Sequence, residues 1–163
     1  MALGARGQGA STAVVDLDLE GTLSSSELNA GGVRQIWGRS INVECARKSI
    51  EYFSKLGGAV GYRPCGYLWL HGESTWDVAR EWVADHESEH WPTEVLSPRE
   101  VQDRAPFLDK LDGVVGAIHG RRDGLINSNL LKNHFRERAK ASGVAFLDRL
   151  WIESVAEVGG RFE

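Results

Sequence analysis

Residues 20–34 read Glu-Gly-Thr-Leu-Ser-Ser-Ser-Glu-Leu-Asn-Ala-Gly-Gly-Val-Arg, a run almost free of bulky side chains. Such a run has no apolar face to bury. It is therefore read as an extended binding loop, with at most a turn of helix, and not as a core element. It follows residues 12–17, Thr-Ala-Val-Val-Asp-Leu, which read as a short buried strand carrying an acid at Asp16. In nucleotide-binding α/β folds an acid at such a strand end accepts hydrogen bonds from ribose hydroxyls. Small residues nearby let backbone N–H groups approach a pyrophosphate. On spacing alone, a solvated acid at a strand end is the plainer reading of Asp16.

The rest of the chain alternates helices and strands, which indicates an α/β or α+β fold. Residues 1–12 read as an irregular lead with glycines at 4, 7 and 9 and no apolar stretch of the kind a targeting peptide needs. Val43, Ala46, Ile50, Phe53 and Leu56 advance by three and four and predict a helix over 42–56, capped by Asn42 and closed by Gly57. A turn follows at 60–66, then a strand over 67–70. A second helix is predicted from Ser74, with Asp77 at the capping-box position, to about Glu89 before Pro92. Ser97-Pro98-Arg99-Glu100 is a further start signal, with an N-cap, proline at the first helical position and an acid at the third. A strand at 114–118, a turn at Asp123-Gly124 and a helix from Asn129 to about Ser142, capped by Ser128 and ended by Gly143, come next. Strands at 144–147 and 151–158 then lead to a Gly159-Gly160 hairpin turn. Only Arg161, Phe162 and Glu163 remain for a returning strand, so the expectation is a chain that stops inside an element.

Composition narrows the classes. The net charge of −4 gives no electrostatic reason to expect nucleic acid as a partner. Six tryptophans and a 42% hydrophobic share exclude a disordered tail, and no apolar run reaches the roughly 18 residues of a membrane span. Cys45 and Cys65 form no CxxC pair and no disulfide framework, which suits a reducing, cytoplasmic setting. Cys45 is expected to pack on its helix. Glycine accounts for 19 of 163 residues, about 12% against a usual figure of about 7%, and only four prolines accompany it. That combination predicts tight turns and close backbone approaches.

The run Ser25-Ser26-Glu27-Leu28-Asn29-Ala30-Gly31-Gly32-Val33-Arg34-Gln35 resembles a stretch of the glycine/D-amino-acid oxidase superfamily of FAD-dependent oxidoreductases. Further matches follow in order. They are Asn42 with the amphipathic helix and Ser49-Ile50-x-x-Phe53; Val60-Gly61-Tyr62-Arg63 with Gly66-Tyr67-Leu68; Leu96-Ser97-Pro98 with Glu100-Val101; Asp123-Gly124; and Gly143-Val144-x-Phe146-Leu147. The resemblance covers roughly residues 13–163. It implies a partial, Rossmann-like FAD-binding domain plus part of an α+β substrate domain. In that reading residues 13–57 and 144–163 belong to the first and 58–143 to the second. It implies that Asp16 holds the adenosine ribose, and that Ser25, Ser26 and Asn29 face the cofactor phosphates or the flavin edge. Ala30, Gly31 and Gly32 would let the backbone pass beneath the flavin ring. Ile152 would meet the adenine through its backbone. Arg34 would sit near the flavin and orient the ring or a substrate carboxylate by charge-assisted hydrogen bonds. A small amine or amino acid is the implied substrate, with hydride passing to FAD.

The family's strand-Gly-x-Gly-x-x-Gly-helix unit, expected about twenty residues before the Asp16 strand, is absent from this sequence. The helix N-terminus that would neutralise the pyrophosphate is missing with it, so this chain alone is expected to bind FAD weakly or not at all. Two other readings stand beside the flavoenzyme. His86-Glu87-Ser88-Glu89-His90 matches H-E-x-x-H, the zinc-hydrolase spacing of two histidines and a water-activating glutamate. Pro92 ends that helix at once, a charge stands at Glu89 and no third ligand follows, so no metal site is assigned. The other is a non-catalytic remnant or accessory chain, whose exposed strand edges call for an oligomer or a complementary segment. Tyr62, Tyr67 and Trp69 are candidates to line a flavin-side pocket, although an aromatic strand is more often core.

Overall fold

The computed structural model describes residues 1–22, 24–86, 93–159 and 161–162. The chain divides into two compact units, residues 1–29 with 128–163 and residues 30–127. The fold is a mixture of helices and short sheets, as the alternating pattern predicts.

In the first unit, β1 (Ala13–Val15) pairs in parallel with β7 (Ala145–Leu147), Ala13 opposite Ala145 and Val15 opposite Leu147. The predicted strand over 12–17 is shorter than expected. Beyond Val15 the Asp16 N–H still reaches Leu147 O at 3.1 Å, and then the Asp18 N–H folds back onto the Asp16 carboxylate and turns the chain aside. α5 (Ser128–Ala141) delivers the chain to β7, and Gly143 at φ +81° makes the left-handed exit that only glycine adopts without strain. The predicted irregular lead contains a short helix, α1 (Ala2–Gly7), tied to this exit by Arg6 Nε donating to Ser142 O at 2.9 Å. The predicted strand over 151–158 is a correction. Residues 151–156 are irregular and exposed, and only β8 (Glu157–Val158) forms, pairing with β9 (Arg161–Phe162) across a turn with Gly159 at φ +59°. Among the described residues no strand lies along 151–156, so the β-branched residues there have no ladder to join.

The second unit is built on an antiparallel sheet of β3 (Tyr67–His71), β5 (Gly116–Gly120) and β4 (Thr93–Leu96), with β5 in the centre. Side chains alternate between its faces. One face carries Leu68, Ala117 and Leu96, which pack with Val101 of α4 (Pro98–Arg104) and with Leu108 and Leu111. α4 starts as the sequence predicts. Glu100 N–H donates to Ser97 Oγ at 3.4 Å, and Ser97 N–H donates to Glu100 Oε2 at 2.7 Å. Ser97→Ala is expected to cost about 1 kcal/mol in urea unfolding, since both end-of-helix donors lose their arrangement.

The opposite face carries Tyr67, Trp69 and His71. There Gly116 and Gly120 leave room for other side chains: a Cβ on Gly116 would overlap the Trp76 ring of α3 (Glu73–His86). A two-stranded antiparallel ladder, β2 (Gly32–Val33) with β6 (Gly124–Leu125), completes the unit. Arg63 flanks β6 on its other side through paired bonds with Leu125, at 2.8 and 3.0 Å.

α2 (Ser40–Leu56) buries the expected stripe of Val43, Ile50 and Phe53 and ends at Gly57. Two expectations on it are corrected. Asn42 is not its cap: Arg39 is extended and its carbonyl accepts both Asn42 and Val43 N–H, so the helix starts two residues earlier. Cys45 is exposed rather than packed, because two residues after buried Val43 lies about 200° round the helix. Ser74 likewise lies inside α3, which begins at Glu73.

Candidate flavin-binding site

Asp16 lies exposed just past β1, and its Oδ1 accepts Asp18 N–H at 3.0 Å. Asp18 is not among the residues the sequence singles out, yet it organises the start of the loop. Its Oδ1 accepts Glu20 N–H at 3.1 Å, and its Oδ2 accepts Thr22 N–H at 3.1 Å and Thr22 Oγ1–H at 2.9 Å. The hydroxyl of Thr22 and these backbone donors hold the Asp18 carboxyl below its ordinary value. The Asp-x-x-x-Thr spacing is the signal the sequence offers for it, a side chain that substitutes for a backbone turn.

Ser25, Ser26, Asn29 and Ala30 follow, all exposed. Glu27, in the middle of this run, is pinned instead: Lys132 Nζ of α5 lies 2.6 Å from its Oε2 and also donates to Glu20 O. The loop after β1 is thus fastened to α5 by one lysine while the side chains of Ser25 and Ser26 stay exposed. Ile152 lies in the exposed irregular stretch before β8.

In the second unit Gly31 is buried at φ +77°, and a Cβ there would overlap Ile126 O. Ile126 N–H donates back to Gly31 O at 2.9 Å, which locks the entry to β2. Gly32 is exposed, with its Cβ position 2.6 Å from Tyr67 Oη. Gly31 is therefore required by its backbone conformation and the Ile126 carbonyl, whereas a side chain at Gly32 would have to displace the Tyr67 hydroxyl.

Arg34 emerges from β2 and its guanidinium carbon lies over three rings, 5.1 Å from the Trp69 centroid, 5.5 Å from Tyr67 and 5.6 Å from Trp37. Among the described residues its guanidinium makes no hydrogen bond or ion pair, and its charge acts on the Asp123 carboxyl. Tyr67 and Trp69 are candidates from sequence. Trp37 is not, and no strand or helix period marks it. Next to Arg34, Gln35 is buried. Its N–H donates to Asp123 Oδ1 at 3.1 Å and its Nε2 donates to Thr93 Oγ1 at 3.1 Å.

Elsewhere on this unit Glu94 is clasped by three cationic or polar side chains. It accepts from Arg104 and His119, the latter at 2.9 Å, and Arg121 Nη2 lies 2.5 Å from Oε1. These bonds, Arg104's first, hold its carboxyl well below the usual range. This cluster belongs to the α4 face of the sheet, opposite the Arg34 face, because Glu94 and His119 are neighbours of Leu68 across one rung.

The H-E-x-x-H reading falls on His86–His90, of which residues 87–90 lie outside the described residues. Among the described residues no group of three or more His, Cys, Asp or Glu is placed to hold a metal ion. None of their helices is long and apolar enough to cross a membrane.

Residues 1–162 match the family model of the DAO FAD dependent oxidoreductases. The chain belongs to that family, whose cofactor is FAD. A curated relative, FAD-dependent oxidoreductase domain-containing protein 1 of Xenopus laevis, is 26% identical over 149 residues, 80% of this chain and 28% of that protein. Among solved structures, L-proline dehydrogenase from P. horikoshii superposes with a TM-score of 0.83 at 20% identity, covering 99% of this chain and 43% of that one. Glycine oxidase from Bacillus cereus gives a TM-score of 0.73 at 18% identity, covering 97% and 45%. The chain thus spans less than half the length of these relatives, and the structural likenesses establish the fold.

The residues present suit the family's cofactor. Asp16 has an exposed carboxylate of the kind that accepts ribose hydroxyls, and Ser25, Ser26 and Asn29 offer exposed polar donors. Ala30, Gly31 and Gly32 carry no large side chain of their own, with Gly31 buried against Ile126 and Gly32 facing the Tyr67 hydroxyl.

Proposed function

We propose that this chain supplies part of the FAD site and part of the substrate site of an enzyme that oxidises small amines or amino acids. The observation that carries this reading is Arg34, a cation shelved on Trp37, Tyr67 and Trp69 whose guanidinium makes no hydrogen bond or ion pair among the described residues. FAD, when bound, supplies the hydride acceptor. The chain's own part is positional. Asp16 binds ribose hydroxyls, and Ser25, Ser26 and Asn29 donate to phosphate or the flavin edge. Ala30, Gly31 and Gly32 keep the backbone flat against the ring. Ile152 offers its backbone to the adenine. Arg34 holds a carboxylate by its planar fork, while the rings prevent it from swinging into solvent. Glycine oxidase and L-proline dehydrogenase, the similar structures, are named for amino-acid substrates, which agrees with a carboxylate-binding arginine.

The test is a difference absorption spectrum of the chain with excess FAD, to which glycine or L-proline is added without oxygen. The native chain is expected to show a ligand-dependent change in the flavin bands. Arg34→Ala should weaken the apparent amino-acid affinity by about 100-fold, the usual size for losing a charged hydrogen-bonded pair. Arg34→Lys should fall between them, because it keeps the charge and loses the fork and the stacking. An Arg34→Ala chain that responds like the native one would remove the proposal.

A further inference from the structure

The geometry points to Asp123 as a positioning residue for Arg34, acting by fixing the peptide that joins Arg34 to Gln35. This rests on the reading of Arg34 as a ligand-binding group. Both polar atoms of that peptide are held. Its carbonyl, Arg34 O, accepts from the Trp37 indole Nε1 at 2.9 Å, and its N–H, on Gln35, donates to Asp123 Oδ1 at 3.1 Å. A peptide held at both ends cannot rotate, so the arginine leaves it in one direction only, over the three rings.

Asp123 is itself tied to the sheet beneath. Its carboxyl fills the space where Gly120 lacks a side chain, and its carbonyl accepts Gly66 N–H at 2.8 Å just before β3. Gly120 pairs with Tyr67 on one side and Thr93 on the other. That single rung therefore carries the ring beneath Arg34, the carboxyl that holds Gln35 N–H, and the hydroxyl that accepts from the Gln35 side chain. Asp123 is fully buried, yet its Oδ2 has no hydrogen-bond partner. A buried carboxylate with an idle oxygen is costly unless it does something else. Here the second oxygen leaves the group free to take a proton without breaking the Gln35 bond at Oδ1.

Burial raises the Asp123 carboxyl to about 7, against the opposing pull of the Gln35 N–H and of Arg34. Of the charged and titratable groups on the segments around it, β2 leads to Arg34, and the turn before β3 brings Arg63 and Cys65. The loop after β5 carries Arg121, which pairs with Glu94, and Arg122. β3 and β4 present Tyr67 and Thr93 at this rung. Near neutral pH, then, Asp123 changes from a neutral to an anionic acceptor, and the grip on the Arg34–Gln35 peptide tightens as it ionises.

The experiment is a pH titration of the native chain by amide and indole NMR, with no flavin present. The Gln35 N–H and the Trp37 indole N–H are expected to shift together with one midpoint near 7, which Asp123→Asn should abolish while leaving the folded spectrum. Asp123→Ala should make the Gln35 amide exchange with solvent roughly ten- to a hundredfold faster, the usual scale for one lost hydrogen bond to a charged group. Gln35 and Trp37 signals that do not titrate in the native chain would overturn the inference. So would a titration that survives in Asp123→Asn. A clamp that titrates in a chain whose Arg34→Ala variant responds normally to amino acids would leave the clamp standing and remove the ligand role instead.

Discussion

Gly31→Ala is expected to cost about 3 kcal/mol or more, enough to leave much of the chain unfolded in moderate urea. Two independent strains meet at this position. Gly31 holds φ +77°, a region in which a side chain costs roughly 1–2 kcal/mol. In addition, the new methyl would overlap the carbonyl of Ile126, whose own N–H is bonded to Gly31 O. That carbonyl is backbone, so relief requires β2 and β6 to separate, and β6 also carries the Arg63 bonds. Gly58→Ala is the matched control. It has open space around its Cβ position and lies in a short helical turn, so it should be neutral or slightly stabilising. Urea midpoints of the two variants compare the two cases directly.

The second large effect is a loss of stability with rising pH that runs through one side chain. The folded chain keeps the Asp123 proton up to about pH 7, because burial disfavours the charge. The unfolded chain releases it near the ordinary value of about 4. Between these limits the folded state binds more protons than the unfolded one, so stability falls as pH rises and the loss is complete above about pH 7. Its size is on the order of 2–4 kcal/mol, because the folded and unfolded chains differ by one proton over most of that interval and each pH step then costs about 1.36 kcal/mol. Glu94 works the other way: its clasped carboxyl contributes stability above about pH 4.5 that disappears as the solution becomes more acid. Subtracting the Asp123→Asn curve from the native one cancels Glu94 and every other group. The difference should grow in favour of Asp123→Asn from pH 4 to pH 7 and then stay flat. A difference that is level across this range would mean Asp123 is ionised throughout.

What is legible in the sequence is whatever depends on local chemistry. The Ser97-Pro98-x-Glu100 start, the α2 stripe and the Gly143 exit are each set by residues within one or two turns, and each forms as expected. The family run at 25–35 is visible because small residues and Arg34 stand in a recognisable order. What is not legible depends on tertiary neighbours. Residues 151–156 have strand-forming side chains, but no strand lies beside them among the described residues, and they stay irregular. Asp123 reads as a turn residue; only the fold reveals that Gly120, Gly66 and Gln35 converge on it. Trp37 stands outside any periodic segment, so nothing in the sequence marks it as a wall for Arg34. The compact units divide after Asn29 and Asn127, because β2 pairs with β6 and thereby draws residues 30–57 to the three-stranded sheet's unit.

In the proposed function each unit contributes FAD contacts of its own, Asp16, Ser25, Ser26, Asn29 and Ile152 in the first and Ala30, Gly31, Gly32 and Arg34 in the second. An amide NMR titration with FAD tests this most directly, since it locates contacts even when binding is weak. Fast-exchange shifts are expected to concentrate at Asp16, Ser25, Ser26, Asn29, Ala30, Gly31, Gly32, Arg34 and Ile152, and to be reduced in Arg34→Ala. Shifts that cluster elsewhere, or none at these positions up to the solubility of FAD, would contradict it.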